Sequence, residues 1–188
     1  MSARMSGHIS RIAPLDPPYA SDIQDQFDRI MRGAPPLMLF RVIAGHARAW
    51  EKFRAGSLLD RGPLPLRERE IVIDRTCALN GCEYEWGVHV AIFAAPAGLD
   101  AAQVRATVLE GSDAPCWSDA EQALIAAVDA LHHRATWTDA EFAGLRAHYD
   151  EDKILEIILL CGFYRTVSYL ANGLALPLEE NAARFPLR

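Results

Sequence analysis

The 188-residue sequence predicts an all-α fold, and three observations support that prediction. Apolar residues recur every three or four positions in one segment after another, which is the period of an α-helix. Two capping boxes, Ser118-Asp119-Ala120-Glu121 and Thr138-Asp139-Ala140-Glu141, are typical of helix N-termini. No Asn-Gly or Asp-Gly turn joins two alternating β-branched runs, so nothing in the sequence indicates a β-hairpin.

The first residues are predicted to form an extended arm. Residues 1–20 contain Pro17-Pro18 and show no hydrophobic periodicity. The remainder, residues 21–188, has no internal linker and no low-complexity tract, and it is long enough to bury a core of its own. We therefore expect one helical domain behind the arm.

A series of helices is predicted in this domain, bounded by residues that start or stop a helix. Ser21 is placed to cap the first helix, and Asn80-Gly81 supplies a left-handed stop between two later ones. The most apolar segment, Ile154–Tyr164, is too short to span a bilayer and is expected to be a buried core helix. The predicted helices span, in order, residues 21–33, about 37–53, 66–79, 82–96, 100–109, 118–133, 138 to about 149, and about 152–172.

Composition and charge argue against several classes of function. The net charge is -6 and no basic run is present, so nucleic acid is not an expected partner. Residues 1–20 lack the unbroken apolar stretch of a secretory signal, and the cysteines do not form a compact framework. We therefore expect a cytoplasmic protein with reduced thiols, no membrane partner and a small molecule as its substrate.

The segment from Cys82 to His89 places three chemically active side chains on one helix face. At about 100° per residue, Cys82, Glu85 and His89 fall within roughly a 60° stripe, and Glu85 and His89 form an i,i+4 pair. Glu70 lies on the preceding predicted helix, from which it could join them. Two other interpretations stay open, namely a surface ion pair on a solvated face and a structural cysteine at a helix start.

The ionisation of Cys82 depends on two opposed effects. The free N–H groups of a first helical turn favour an anion and lower the pKa of a thiol. The carboxylate of Glu85 disfavours a thiolate and raises that pKa. The sequence alone leaves open which of these effects is the larger.

The pattern Glu70-x11-Cys82-x2-Glu85-x3-His89, with Asn80-Gly81 before the cysteine, resembles the carboxymuconolactone decarboxylase family, which includes the AhpD-like alkylhydroperoxidases. The resemblance implies an AhpD-like helical bundle that forms homo-oligomers, often trimers or hexamers. In the peroxidase branch a Glu, a Cys-x-x-Cys pair and a His are catalytic, and they fall on Glu70, Cys82, position 85 and His89. That branch has its peroxide-attacking cysteine at the position that Glu85 occupies here.

Three hypotheses for the function follow. The decarboxylase branch implies acid–base chemistry on a small acidic lactone without metal or organic cofactor. Glu70, Glu85 and His89 suit proton transfer, since an imidazole switches its protonation state near neutrality. The first hypothesis is therefore a cofactor-free, lyase-type enzyme that acts on a small organic acid or lactone. The second is a thiol peroxidase that uses Cys82 with an external resolving thiol, and the third is a non-catalytic helical oligomer.

Neighbouring side chains are candidates for the pocket wall and for a cationic group. Tyr84 and Trp86 flank the motif and are expected to line the pocket, although core packing would explain them equally well. An acidic substrate needs a cation, and the sequence does not single out one arginine. The arginines nearest to apolar helix faces are Arg41, Arg48, Arg75 and Arg165.

Overall fold

The computed structural model describes residues 10–187, and within that span it consists of helices joined by turns, with no strand. The predicted all-α fold is therefore confirmed. A short 3₁₀ turn at Gly111–Asp113 separates the sixth and seventh helices. The α-helices are α1 (Ser21–Met31), α2 (Met38–Ala44), α3 (Ala47–Ala55), α4 (Leu66–Leu79), α5 (Glu83–Phe93), α6 (Ala101–Ala106), α7 (Asp119–Arg134), α8 (Asp139–Arg146) and α9 (Glu151–Gly173).

Helix α4 forms the centre of the bundle. It packs against α5, α7 and α9, and its apolar residues Ile71, Val72 and Ile73 are fully buried. A helix that is buried on every side needs a partner for each polar group that it carries. Because α4 also buries Glu70 and Asp74, the interior of the bundle contains ionisable side chains.

Capping side chains mark the start of the later helices. Ser118 and Glu121 form both halves of a capping box before α7, and Thr138 and Glu141 form another before α8. These reciprocal bonds satisfy backbone N–H groups that the first helical turn leaves unpaired, and both predicted boxes are confirmed. The predicted cap on α1 is wrong, because Ser21 is the first helical residue and no side chain caps that helix.

The predicted helix over residues 37–53 is wrong, since two helices occupy that range. Gly45 follows the end of α2, and His46 is extended, with φ -129° and ψ 93°, before α3 begins. Gly45 weakens a helix because glycine loses the most conformational freedom on folding. The bend lets Trp50 of α3 pack edge-on against Phe27 of α1, with ring centroids 5.7 Å apart.

The described part of the predicted arm, residues 10–20, has no helix or strand and lies against the domain. Leu15 donates its backbone N–H to the Arg41 carbonyl at 3.0 Å. In return, Nε of Arg41 donates to the Leu15 carbonyl at 2.8 Å. Residues 1–9 of the predicted arm lie outside the described residues.

Helix α9 is long and apolar enough to cross a membrane by length and composition, with a mean hydropathy of 1.5 over its most apolar stretch. In the structure, one face of α9 packs against α4, α5 and α7. Ile157, Leu160, Tyr164 and Val167 are buried on that face. Helix α9 is thus a core helix of the bundle, as the sequence predicts for Ile154–Tyr164.

The C-terminal segment folds back over α5. Ala183 donates its backbone N–H to the Gly87 carbonyl at 2.9 Å, and Phe185 packs on Trp86 with ring centroids 5.1 Å apart. A Cβ atom at Gly87 would overlap the Ala183 carbonyl, so this close approach requires glycine. The segment therefore covers the Trp86 side of α5.

Candidate active site

Helices α4 and α5 bring the predicted catalytic residues together across a tight turn. Helix α4 ends at Leu79, and the side-chain amide of Asn80 donates to the Thr76 carbonyl at 2.7 Å. Gly81 has a φ of +61°, a left-handed conformation that glycine adopts without steric cost. The stop that the sequence predicts at Asn80-Gly81 is confirmed, and Cys82 follows as the N-cap residue of α5.

Glu70, His89 and Glu85 form a buried ion cluster between these two helices. Nδ1 of His89 lies 2.7 Å from Oε2 of Glu70, and Nε2 of His89 lies 3.5 Å from Oε1 of Glu85. The exposed fractions are 0% for Glu70, 3% for His89 and 7% for Glu85. Arg69 donates from Nε to Oε1 of Glu70 at 3.2 Å. The interpretation of Glu85 and His89 as a solvated surface pair is therefore wrong.

The two carboxylates keep His89 protonated. Burial lowers the pKa of His89, but the hydrogen bonds and charges of Glu70 and Glu85 outweigh burial and raise that pKa to about 10. At neutral pH the ring is therefore an imidazolium whose two N–H groups face one carboxylate each. The expectation that this imidazole switches its state near neutrality is wrong, because the sequence does not show the contact with Glu70 across the two helices.

Asp74 is a further buried carboxyl group, one turn beyond Glu70 on α4. Burial raises the pKa of Asp74 well above its usual range, and Glu70 adds to this rise while the charge of His89 opposes it. Its Oδ1 atom has no hydrogen-bond partner among the described residues.

The ion cluster is not arranged as a set of metal ligands. Glu70 and Glu85 contact opposite nitrogens of His89, and a protonated imidazole has no free lone pair for a metal. Between residues 10 and 187, no group of three or more His, Cys, Asp or Glu side chains is placed to hold a metal ion.

Cys82 is a free thiol that solvent does not reach, with an exposed fraction of 0%. Burial raises the pKa of Cys82, and the charge of Glu85 raises it further. The backbone N–H groups at the start of α5 and the hydroxyl of Ser168 lower the pKa, but by less than burial raises it. Of the two effects that the sequence leaves open, the backbone N–H groups of the helix terminus have a larger influence than the charge of Glu85, but burial outweighs both and keeps the pKa of the thiol raised.

A cavity of about 230 Å³ adjoins the ion cluster. Glu85 is part of its wall, and Oε2 of Glu85 has no hydrogen-bond partner among residues 10–187. A buried carboxylate oxygen without a partner is costly, so in a folded protein it calls for an explanation such as a catalytic role. The wall is mainly aromatic and aliphatic: Ile30, Phe40, Trp50, Phe53, Arg54, Ser57, Leu59, Glu85, Phe163 and Tyr164.

Tyr84 and Trp86 pack away from this cavity, contrary to the expectation that they line it. The hydroxyl of Tyr84 accepts the backbone N–H of Leu39 at 3.1 Å and donates to the carboxylate of Glu179. Nε1 of Trp86 donates to the Thr107 hydroxyl at 3.0 Å. Both rings therefore anchor α5 to its neighbours, which is the core-packing role that the sequence also allows.

Tyr164 is a candidate functional residue that the sequence did not identify. Its ring meets the His89 ring edge-on, with centroids 5.0 Å apart, and it lines the cavity beside Glu85. Burial raises the pKa of Tyr164 well above its usual range, and the nearby carboxylates of Glu85 and Glu70 add to the rise. Its hydroxyl is absent from the hydrogen bonds formed within residues 10–187. Tyr164 is therefore a neutral phenol with a hydrogen-bond donor to offer.

Arg54 is the arginine in the wall of this cavity, and it is not one of those that the sequence singles out. Arg41 and Arg75 each pair with an aspartate at 2.6 Å. Arg165 lines a separate cavity, and Arg48 is exposed on α3. Helical spacing could not identify Arg54, because its position depends on how α3 packs against α9.

Comparisons with known proteins agree with this architecture. Residues 44–130 match the carboxymuconolactone decarboxylase family. An AhpD core, peroxidase-related protein from Ralstonia eutropha JMP134 superposes with a TM-score of 0.81 at 20% identity, covering 93% of this chain and 95% of that chain. A peroxidase-related protein from Silicibacter sp. TM1040 superposes with a TM-score of 0.79 at 18% identity, covering 98% and 100%. The debrominase Bmp8, solved with 2,3,4-tribromopyrrole, superposes with a TM-score of 0.72 at 16% identity, covering 94% of each chain.

The match over residues 44–130 agrees with the family resemblance seen in the sequence, and the superpositions confirm the fold. At such low identities the solved structures show a shared fold, and nothing about activity follows from them. No curated protein matches the chain. The chemistry that the site can perform therefore depends on the side chains around Glu85.

Proposed function

We propose that this protein is an acid–base enzyme acting on a small organic acid or lactone, and the match of residues 44–130 to the carboxymuconolactone decarboxylase family supports the proposal. One observation carries the proposal. The carboxylate of Glu85 lines an aromatic cavity, with one oxygen 3.5 Å from the His89 imidazolium and the other without a partner. A sheltered carboxylate of this kind is suited to accept a proton from a bound substrate.

Glu85 takes the proton and returns it. Its carboxylate accepts a proton from a carbon next to a carbonyl group, and the electron pair of the broken C–H bond moves onto the carbonyl oxygen as an enolate. The carboxylic acid thus formed returns the proton to the same carbon or to a conjugated one, which gives exchange or isomerisation. In a decarboxylation, Glu85 first accepts the proton of the substrate's carboxylic acid group. The C–C bond to that carboxylate then breaks, its electron pair forms the enolate as CO₂ departs, and the acid form of Glu85 returns the proton to the enolate carbon.

The other members of the site position Glu85 and stabilise the enolate. His89 faces Glu85 with a positively charged N–H group, and Glu70 fixes the imidazolium ring through its 2.7 Å contact with Nδ1. The neutral phenol of Tyr164 donates a hydrogen bond to the enolate oxygen. Glu70 and His89 are thus positioning residues, while Glu85 and Tyr164 touch the reacting atoms.

Deuterium incorporation tests this proposal without knowledge of the natural substrate. A panel of γ-lactones, 3-oxo acids and arylacetic acids is incubated with the protein in D₂O, and loss of the C–H signal next to the carbonyl is followed by ¹H NMR. We expect catalysed exchange that falls at least about 100-fold in Glu85→Gln. Glu51→Gln, at an exposed position on α3, is the matched control and keeps the wild-type rate.

Two results of that experiment would count against the proposal. Exchange that survives Glu85→Gln unchanged contradicts the role of Glu85. A wild-type protein that is inert towards the entire panel favours the third hypothesis, the non-catalytic oligomer, in which the ion cluster serves only structure.

The thiol peroxidase hypothesis fits the site less well. Cys82 is fully buried, and burial raises the pKa of its thiol, so little of the nucleophilic thiolate is present at neutral pH. A peroxidase would also need an external thiol, in keeping with the cytoplasmic location that the sequence predicts. Hydrogen peroxide consumption in the presence of dithiothreitol, lost in Cys82→Ala, would favour this second hypothesis over the first.

For the quaternary structure we propose a homo-oligomer. Helix α9 exposes an apolar stripe formed by Leu155, Ile158, Leu159 and Tyr169, with exposed fractions of 60%, 40%, 59% and 60%. Exposed apolar patches on a soluble protein are typical of interaction surfaces, and a second copy of α9 would cover this one. We expect Leu155→Glu combined with Leu159→Glu to reduce the mass measured by light scattering to that of a monomer, with unchanged helical content. A wild-type protein that is already monomeric would contradict the proposal.

A further inference from the structure

The cavity beside Glu85 has a continuous aromatic wall. Trp50 and Phe53 stack with ring centroids 6.2 Å apart and planes 12° apart. Phe53 lies 5.4 Å from Phe163, and Phe163 lies 5.5 Å from Tyr164. Phe40 contacts Trp50 at 5.8 Å. Aromatic faces and edges hold planar rings well, whereas they offer nothing to replace the hydration shell of a charged group.

The size of the cavity limits its ligand to about one ring. Its volume of about 230 Å³ lies below the range of about 300–1,000 Å³ that is usual for sites that bind drug-sized molecules. A monocyclic molecule with one short substituent therefore suits the space better than a bicyclic or long-chain one.

Charge in the wall is divided between an inner end and an outer end. Glu85 is buried, so its negative charge lies at the inner end. Arg54 is exposed in the last turn of α3, with its guanidinium 5.6 Å from the Trp50 ring centroid. None of the ion pairs formed within residues 10–187 involves Arg54. A single anionic group is therefore favoured at the outer end and disfavoured at the inner end.

We propose that the substrates of this site are one-ring, planar monocarboxylates. The carboxylate pairs with Arg54 at the rim, the ring lies among the aromatic side chains, and the acidic C–H group faces Glu85. This inference rests on the proposed function and narrows its substrate class. A dicarboxylate is a poor ligand, because its second charge would lie in the apolar interior beside the carboxylate of Glu85.

Isothermal titration calorimetry with three probes tests the inference without turnover. Phenylacetate carries one ring and one negative charge, phenylacetamide is its neutral analogue, and 4-carboxyphenylacetate adds a second charge at the far end of the ring. We expect phenylacetate to bind about three- to tenfold more tightly than either of the other two. Glu85→Gln is expected to retain phenylacetate binding and to bind the dianion better than the wild type does, because the repulsion at the inner end is removed.

Two variants on α3 separate the rim contact from general effects of charge. Arg54→Gln is expected to bind phenylacetate and phenylacetamide equally, because the ionic contact is lost. Arg48→Gln removes an exposed arginine of the same helix outside the cavity wall. This variant should keep the difference in affinity between phenylacetate and phenylacetamide. An unchanged difference in Arg54→Gln overturns the inference, as does wild-type binding of the dianion as tightly as phenylacetate.

The outcomes for substrate class and for catalysis are independent. If phenylacetate binds with the predicted selectivity but no compound exchanges deuterium, the proposed ligand class is supported and the proposed function is contradicted. Exchange on the γ-lactones of the panel with no binding of phenylacetate supports the proposed function and contradicts the proposed ligand class.

Discussion

Replacing His89 by glutamine should strongly destabilise the protein at neutral pH. The substitution removes the positive charge between Glu70 and Glu85 and leaves two buried carboxylates with Arg69 as their remaining cation. Breaking a buried ion pair from one side typically costs about 3–5 kcal/mol, because the surviving charge is left uncompensated. The rise in the pKa of His89 from 6.5 to about 10 implies a loss of about the same size, at roughly 1.4 kcal/mol per pKa unit.

Urea denaturation of His89→Gln at pH 7 measures this loss, with His148→Gln as the control at an exposed histidine. We expect a reduction of about 3–5 kcal/mol in the free energy of unfolding for the first variant and about 0.5 kcal/mol or less for the second.

A double variant keeps the prediction testable if His89→Gln does not fold. Glu70→Gln combined with His89→Gln removes one negative and one positive charge together, so we expect it to be more stable than His89→Gln alone by at least about 1 kcal/mol. A His89→Gln variant within about 1 kcal/mol of the wild type would refute the reasoning. So would a double variant that loses the sum of the two single effects, since residues in one ion cluster should not behave additively.

The remaining predictions concern pH, the phenol and the thiol. The stability that His89 contributes is fully present below its unfolded pKa of about 6.5 and is lost as the pH rises through about 10, because only the folded state then holds the proton. Urea titrations between pH 6 and 10 should show this decline in the wild type, whereas a flat profile would show that the carboxylates do not hold the proton. Tyr164→Phe should reduce deuterium exchange by about 10- to 100-fold and leave urea stability nearly unchanged, because the lost hydroxyl has no partner within the described residues. Cys82→Ala should retain more than about half of the wild-type exchange rate, since acid–base catalysis does not use the thiol, and a complete loss in a folded variant would instead place sulfur in the mechanism.

Local signals in the sequence predict most of the helices. The capping boxes at Ser118 and Thr138 are short-range patterns, and they mark the starts of α7 and α8 correctly. The turn at Asn80-Gly81 is equally local, because glycine readily adopts the left-handed conformation that ends many helices. The break before α3 has only Gly45 as a local signal, and a single glycine is also tolerated inside a helix.

The ion cluster could be predicted in part. The i,i+4 spacing predicts that Glu85 and His89 meet, because both lie on one helix face. The 2.7 Å contact between Glu70 and His89 joins two helices. The sequence places Glu70 on the preceding helix and the family resemblance adds it to the site, but neither provides the contact itself. The protonated state of His89 depends on both carboxylates together with burial, so no rule based on spacing could provide it.

The cavity wall was the hardest feature to predict, because its residues are far apart in the sequence. Tyr164 and Arg54 line the same cavity as Glu85 only because α9 and α3 pack around it. Tyr84 and Trp86, which are adjacent to Glu85 in the sequence, point to other partners, because neighbours on a helix diverge by about 100°.

The central claim is that His89 is an imidazolium held between two carboxylates, which keeps Glu85 in place beside the cavity. Measurement of the imidazole ¹⁵N chemical shifts of His89 by NMR across the pH range tests it most directly. We expect two protonated ring nitrogens at pH 7 and a titration near pH 10. A His89 that loses its proton near its ordinary pKa of about 6.5 would show that the two carboxylates do not hold it as an imidazolium.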